Sequence, residues 1–210
     1  AASQSFRAGE ARSQIADTPV ILSVGALSAQ KNYELLIRAA ERLRDLSPDT
    51  ATGLNIRIVG NGTSMPALQA LVRELRLDGL VELLGQRNDV AELMQGADLY
   101  VNSSHYEGMP VAVIEALMSG LPIVATDVEG NREIVTTGEN GLLVAPDDAE
   151  ALAEAMIKIL ADPVLHAQFS RGALRSSAVF SIEATAGSHL DIYRQLVEPR
   201  ELGGASPLMA

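Results

Sequence analysis

Two glutamates, Glu107 and Glu115, stand eight positions apart in the run Glu107-Gly-Met-Pro-Val-Ala-Val-Ile-Glu115. The run follows a short apolar stretch, Leu99–Val101, and a polar one, Asn102-Ser-Ser-His105. Glu107-Gly108 reads as a tight turn, and glycine lets a ligand approach the backbone. Pro110 suits the first position of a helix, where its missing N–H would be unpaired anyway. The amides from Val111 onward, at the positive end of the helix dipole, make an anion site. Glu115 lies about 7 Å further along the helix at ~1.5 Å per residue, which suits the separation of a diphosphate from a ribose. A carboxylate accepts from two vicinal hydroxyls, so Glu115 fits a ribose, and Glu107, before the helix, fits a sugar beyond the phosphates. Spacing alone also allows Glu107 to be a helix-capping acid and Glu115 a solvated or salt-bridged side chain.

Lys31 supplies a cation. It precedes the helical pattern Asn32–Leu46, where positive charge is mildly unfavourable against the dipole. A bound phosphate would account for it, and a solvent-facing lysine is the alternative. The formal net charge is −11, so an anion must be held by local geometry against the overall field. No basic stripe is visible, which argues against a nucleic-acid partner. The absence of cysteine excludes disulfides and cysteine-based zinc sites. It is compatible with a reducing cytoplasm. His105, His166 and His189 are too scattered to suggest a metal cluster. No apolar run approaches bilayer length, and no signal peptide is expected.

The elements that must position these residues alternate. Short β-branched strands are expected at Val20–Val24, Asn55–Val59, Val81–Leu84, Leu99–Val101, Ile123–Thr126 and Leu142–Val144. Several are apolar on both faces, as in a parallel sheet covered on both sides. Helical periodicity falls between and after them, at Asn32–Leu46, Pro66–Arg76, Val90–Gln95, Val111–Ser119, Asp147–Leu160, Val164–Arg175 and Ile182–Val197. The pattern predicts an α/β fold, a Rossmann-like doubly wound parallel sheet of about six strands with helices on both faces. Residues 1–17 read as a linker or arm, 18–198 as the domain and 199–210 as a flexible tail.

With these motifs in order, the chain resembles the glycosyltransferase group 1 family, retaining enzymes of the GT-B fold, over about residues 20 to 197. The hallmark of that family is Glu, seven residues, Glu, met here by Glu107 and Glu115. Ser23-Val-Gly-Ala-Leu-Ser-Ala-Gln-Lys-Asn32 resembles its first strand and phosphate loop, and Ile58-Val-Gly-Asn-Gly62 its second. Leu83-Leu-Gly-Gln86, Gly96-Ala-Asp98, Gly120-Leu-Pro-Ile-Val-Ala-Thr126, Gly130-Asn-Arg-Glu-Ile-Val135 and Asn140-Gly-Leu-Leu-Val-Ala-Pro146 follow in order. The resemblance implies the donor-binding C-terminal half of a two-domain enzyme that transfers a sugar from a nucleoside-diphosphate sugar to a glycan or lipid-linked glycan, with retention. Glu107 and Lys31 would be catalytic, Lys31 on the departing diphosphate. Gly25, Gly108, Met109 and Val111 would lie along the diphosphate, Glu115 on the ribose, and Gly85, Gln86 and Arg87 near the base. The resemblance implies no metal and no cofactor. The acceptor domain would be missing from this chain, which would then be inactive alone. The full-length enzyme would be free in the cytoplasm or held at the inner face of the membrane through that domain.

Two positions depart from the family. Ala26 stands where an arginine commonly follows the first-strand glycine, and Glu129 where a second glycine is usual. Arg87 and Arg132 are the cations near enough in the pattern to replace that arginine. Ala26 also fits a non-catalytic nucleotide-sugar-binding subunit. A nicotinamide-dependent oxidoreductase is the remaining alternative, weakened because Gly60-Asn-Gly62 lacks the third small residue of the dinucleotide fingerprint. His105 and Tyr106 flank the hallmark, within reach of a substrate.

Overall fold

A computed structural model of the chain describes residues 9–180, together with Leu190 and Tyr193. The helix expected over Ile182–Val197, apart from those two residues, lies outside the described residues, as do the tail 199–210 and the first eight residues. The chain divides into two units, Ala1–Ser177 and Ala178–Ala210. The first holds every strand, and the described part of the second contains the 3-10 turn Ala178–Phe180.

The strands of the first unit are β1 (Val20–Val24), β2 (Asn55–Val59), β3 (Val81–Gly85), β4 (Leu99–Asn102), β5 (Ile123–Thr126) and β6 (Gly141–Val144). Its helices are α1 (Tyr33–Leu46), α2 (Pro48–Ala51), α3 (Met65–Glu74), α4 (Val90–Gln95), α5 (Val111–Met118), α6 (Glu129–Arg132), α7 (Ala149–Leu160) and α8 (Pro163–Ser177). All strand pairs are parallel, in the order β3-β2-β1-β4-β5-β6. The sheet is therefore doubly wound. Its switch point lies between β1 and β4, paired through Ile21 with Leu99 and Leu22 with Tyr100. Ligands of doubly wound sheets bind at such a point, at the carboxyl ends of the strands.

Burial explains why the apolar runs became strands. All four residues of β4 and of β5 are buried, as both faces of a covered parallel strand must be. The helix α1 buries Leu35, Leu36, Ala39, Ala40 and Leu43 along the expected stripe, with Tyr33 and Ile37 beside it. It packs on α3 and α7, while α5 packs on α8. The paired aspartates before α7 divide their work. Asp148 is the N-cap, accepting from the Ala151 amide at 2.9 Å, and Asp147 takes a left-handed conformation.

Four short elements among the described residues were invisible to periodicity: α2, α6 and the 3-10 turns Ala29–Lys31 and Ala178–Phe180. Each is about one turn long, too short to show a repeat. The glycines of Gly60-Asn-Gly62 also have a packing explanation. A Cβ on Gly60 would lie 1.8 Å from the Gly25 carbonyl oxygen, and one on Gly62 would lie 2.3 Å from that of Leu27. The loop after β2 is thus pressed against the loop after β1. Main-chain bonds from Gly25 to Val59, Leu27 to Asn61 and Gly60 to Gly85 stitch the ends of the three strands together.

Candidate functional site

The loops that leave β1 and β4 meet at the switch point. After β1 the chain makes the 3-10 turn Ala29–Lys31, then Asn32 turns left-handed (φ 44°) to start α1. Lys31 therefore closes a 3-10 turn two residues before the α-helix, rather than standing in that helix's first turn. After β4 the loop runs alongside it. Ser103 Oγ donates to the Lys31 carbonyl at 2.9 Å, the His105 amide donates to the Gln30 carbonyl at 2.9 Å, and Gln30 Nε2 donates to the Tyr106 carbonyl at 3.1 Å. Two segments more than seventy residues apart are thus zipped together.

The zipper delivers Lys31 to Glu107. Lys31 Nζ donates to Glu107 Oε1 at 2.6 Å. The same oxygen accepts from Ser104 Oγ at 2.7 Å and from Asn102 Nδ2 at 3.0 Å. The other oxygen, Oε2, has no hydrogen-bond partner among the described residues. Burial alone would raise the pKa of this carboxyl. The bonds from Asn102, Lys31 and Ser104 outweigh that and hold it below the ordinary carboxylate range. Glu107 is therefore an anion with one oxygen occupied and one free, and not a helix-capping acid. The N-cap of α5 is Pro110, one position earlier than its expected place inside the helix, and no side chain caps it.

The far wall of the Glu107 loop is Gly130. Its amide donates to the Glu107 carbonyl at 3.3 Å. A Cβ there would lie 2.6 Å from the Gly108 oxygen and 2.7 Å from that of Glu107, so only glycine allows α6 to approach this closely. Glu129, one of the two departures from the family pattern, is exposed at the start of α6.

At the N-terminus of α5 the amides are unevenly used. Val111 donates to the Met109 carbonyl at 2.9 Å, and Val113 and Ile114 donate to Pro110. The Val111 amide, expected to face an anion, is thus occupied internally. The amides of Gly108, Met109 and Ala112 have no partner among the described residues, and Gly108 and Met109 are exposed. Further along α5, Glu115 is half-buried, and burial raises its pKa above the ordinary carboxylate range. Its carboxylate has no hydrogen bond or ion pair among the described residues.

The remaining candidates are spread around these. Gly25 sits beside Lys31: a Cβ there would meet the Tyr33 hydroxyl at 2.9 Å and Lys31 Cε at 3.3 Å. Gly85 ends β3, with Gln86 and Arg87 exposed beyond it. Ala26 is exposed in the loop after β1. The two cations expected as replacements for an arginine there are already engaged. Arg87 makes a two-pronged pair with Asp89 at 2.8 and 2.6 Å, and Arg132 pairs with Asp127. His105 faces Asp147, with Nδ1 3.3 Å from Oδ1, and Tyr106 is exposed. Beside them lies a cleft of about 230 Å³, lined by Ser28, Asn32, Tyr33, Ser64, Leu68 and His105 among others.

Sequence reasoning missed the residues that hold Glu107. Asn102 and Ser104 lie within the motif but were given no role, and Asn131 lies in the matched run Gly130-Asn-Arg without one. The available signal was polarity: Asn102, Ser103, Ser104 and Thr126 are polar residues at the ends of apolar strands and Asn131 one on α6, and all five are buried. Among the described residues no three His, Asp or Glu side chains form a group that could hold a metal ion, and no helix is long and apolar enough to cross a membrane.

Comparison with known proteins places this arrangement among relatives. The sequence profile described as "Glycosyl transferases group 1" matches residues 8–175. The lipopolysaccharide core biosynthesis glycosyltransferase LpsE of Rhizobium meliloti is 32% identical over 178 residues, which is 84% of this chain and 50% of LpsE. The solved sucrose-phosphate synthase of Thermosynechococcus elongatus superposes with a TM-score of 0.78 at 30% identity, over 91% of this chain and 50% of that one. Anabaena HepE in complex with UDP and glucose superposes at 0.73, with 24% identity, over 84% of this chain and 48% of its own. The chain spans about half the length of the curated relatives it matches.

Proposed function

This chain belongs to the glycosyl transferases group 1 family, and we propose that it is the part of a retaining glycosyltransferase that binds the nucleoside-diphosphate sugar. One observation carries this reading. At the switch point, Lys31, Asn102 and Ser104 converge on one oxygen of Glu107 and leave the other unoccupied, beside a helix start with unpaired amides and an unpaired Glu115. Such a row suits a sugar, a diphosphate and a ribose in sequence.

The proposed roles follow from the geometry. Glu107 Oε2 accepts from a donor-sugar hydroxyl. The Gly108, Met109 and Ala112 amides take the diphosphate, with the α5 dipole behind them. Glu115 accepts from the ribose hydroxyls, which repay the cost of its half-buried charge. The main chain around Gly85 to Arg87 borders the base. Lys31 turns its ammonium from Glu107 to the phosphates as negative charge develops on the leaving group, so no metal or other cofactor is part of the proposal. Asn102 and Ser104 are neutral donors that remain on Glu107 after Lys31 moves, and they keep it ionised. HepE binds UDP and glucose, which supports a pyrimidine nucleotide as the first ligand to try.

The relatives are about twice as long. We place the acceptor site, and any association with a membrane surface, in a second domain of the whole enzyme. Transfer by this chain alone is therefore not expected. Calorimetric titration with UDP, GDP and their glucose and mannose conjugates tests the reading. One nucleoside diphosphate should bind, and Lys31→Ala should weaken it by roughly tenfold, the worth of one charge-assisted bond. Undiminished affinity in Lys31→Ala, or sugar transfer by the isolated chain, would contradict it.

Ala26 favours a second reading, a subunit that binds nucleotide sugar without catalysis. Arg87 and Arg132 are paired with exposed or half-buried aspartates and Lys31 with Glu107, so of these three cations Lys31 is the one that stands at the site. Joined to a complete acceptor domain, a catalytic chain transfers sugar and a binding subunit does not.

A further inference from the structure

What holds Glu107 reaches back into the protein. Asn102 Nδ2 donates to Glu107 Oε1, while Asn102 Oδ1 accepts from the Ser104 amide at 3.1 Å and from Asn131 Nδ2 at 3.2 Å. A carboxamide has one donor end and one acceptor end. With two donors on Oδ1, Asn102 cannot flip without setting donors against donors and withdrawing its bond from Glu107. Asn131 is itself fixed. It is fully buried on α6, and Nδ2 also donates to the Thr126 carbonyl at 2.9 Å. Its Oδ1 is buried with no partner among the described residues. An unpaired buried acceptor is destabilising, so an apolar residue would pack here at lower cost unless the Nδ2 end were needed.

We propose that Asn131 is a positioning residue of the donor-sugar subsite: through Asn102 it commits Glu107 Oε1 to the protein and leaves Oε2 to take a sugar hydroxyl. The inference rests on the reading of this site as one for nucleotide sugars. It goes beyond that reading by separating two contributions to affinity. The nucleotide is held by Lys31, the α5 amides and Glu115, none of which hydrogen-bonds to the Asn131 side chain among the described residues. The sugar is held by Glu107, which depends on it.

The test compares Asn131→Leu with the unaltered chain, using UDP and UDP-glucose as probes. Affinity for UDP-glucose should fall about fivefold, the effect of one neutral hydrogen bond, and affinity for UDP should stay within about twofold. Equal loss for both probes makes Asn131 a packing residue and overturns the proposal, as does no loss for either. A carbon-13 NMR titration of the Glu107 carboxyl separates this from the parent reading. If the chain binds neither probe, the donor-site reading fails, and the titration still decides on Asn131. The Glu107 midpoint should move up in Asn131→Leu, and an unmoved midpoint sinks the proposal. If that variant does not fold, the unaltered chain suffices. Its Asn131 side-chain amide signals should shift with the Glu107 midpoint, and stationary signals would count decisively against the relay.

Discussion

Strand β4 carries a buried or half-buried carboxylate near each end, and the two are used in opposite ways. Asp98 precedes the strand. Its Oδ1 accepts from the Ala16 amide at 3.2 Å and its Oδ2 from the Val20 amide at 2.8 Å. Both oxygens are taken by main chain, and the result is mechanical: the segment leading into β1 is fastened to the sheet. Arg12 completes the fastening by donating to the Met94 and Gln95 carbonyls at the end of α4. Ser170 accepts from the Arg12 amide, and His166 Nε2 meets the Asp98 carbonyl at 2.8 Å. Glu107 follows the strand. Three donors crowd one of its oxygens and none reaches the other. A closed set of bonds holds chain to chain, whereas an open one leaves capacity for a ligand. Exposure alone would not separate them, because the Glu107 side chain is only 4% exposed.

The largest effect expected from this contrast is on stability at the closed end. Asp98→Ala leaves two amides unpaired and Arg12 half-buried without its counter-charge. It should cost about 3 kcal/mol in urea unfolding, while the protein that remains folded binds nucleotide as before. A loss of binding without a loss of stability would erase the distinction. At the open end, Glu107→Gln should cost less stability but lower nucleotide-sugar affinity by about tenfold. Because the folded Glu107 titrates below its ordinary range, its stabilising contribution is present above about pH 4.5 and is lost as pH falls through the folded value. Glu107→Gln should flatten that acid limb.

Glu115 sharpens the comparison further. Burial raises it and nothing pairs with it, so its ionisation disfavours the fold as pH rises through the ordinary glutamate range. Glu115→Gln should leave stability at neutral pH unchanged, or raise it by less than about 1 kcal/mol, and yet weaken nucleotide binding several-fold. Loss of both would mean that it is a structural acid. The smallest effect is one of slope. His166 is fully buried and burial depresses it, so the stability it contributes is present above about pH 6.5 and declines as the pH falls toward the folded value. His166→Gln should reduce the slope of unfolding free energy against pH in that range, without altering nucleotide affinity.

Much of the scaffold was legible from residues alone. The six strands coincide with β-branched runs to within a residue or two, because a strand covered on both faces must be continuously apolar and its ends are marked by glycine and polar residues. The first turn of α5 was legible for a similar local reason. Proline and the preceding glycine determine backbone choices within a few residues. The attachment of the arm was not legible. The segment before β1 has no periodicity, and its attachment through Arg12 depends on α4, β4 and α8.

The sequence by itself determined a doubly wound α/β domain with Glu107 just before one of its helices and Glu115 on that helix. The tertiary structure decided which groups surround them. Lys31 and Glu107 are 76 positions apart, and Asn102 and Asn131 are 29 apart. They meet because parallel order β3-β2-β1-β4-β5-β6 puts the ends of β1 and β4 side by side. Hydrogen bonds act over about 3 Å, so no pattern along the chain could say which oxygen of Glu107 would be occupied and which left open.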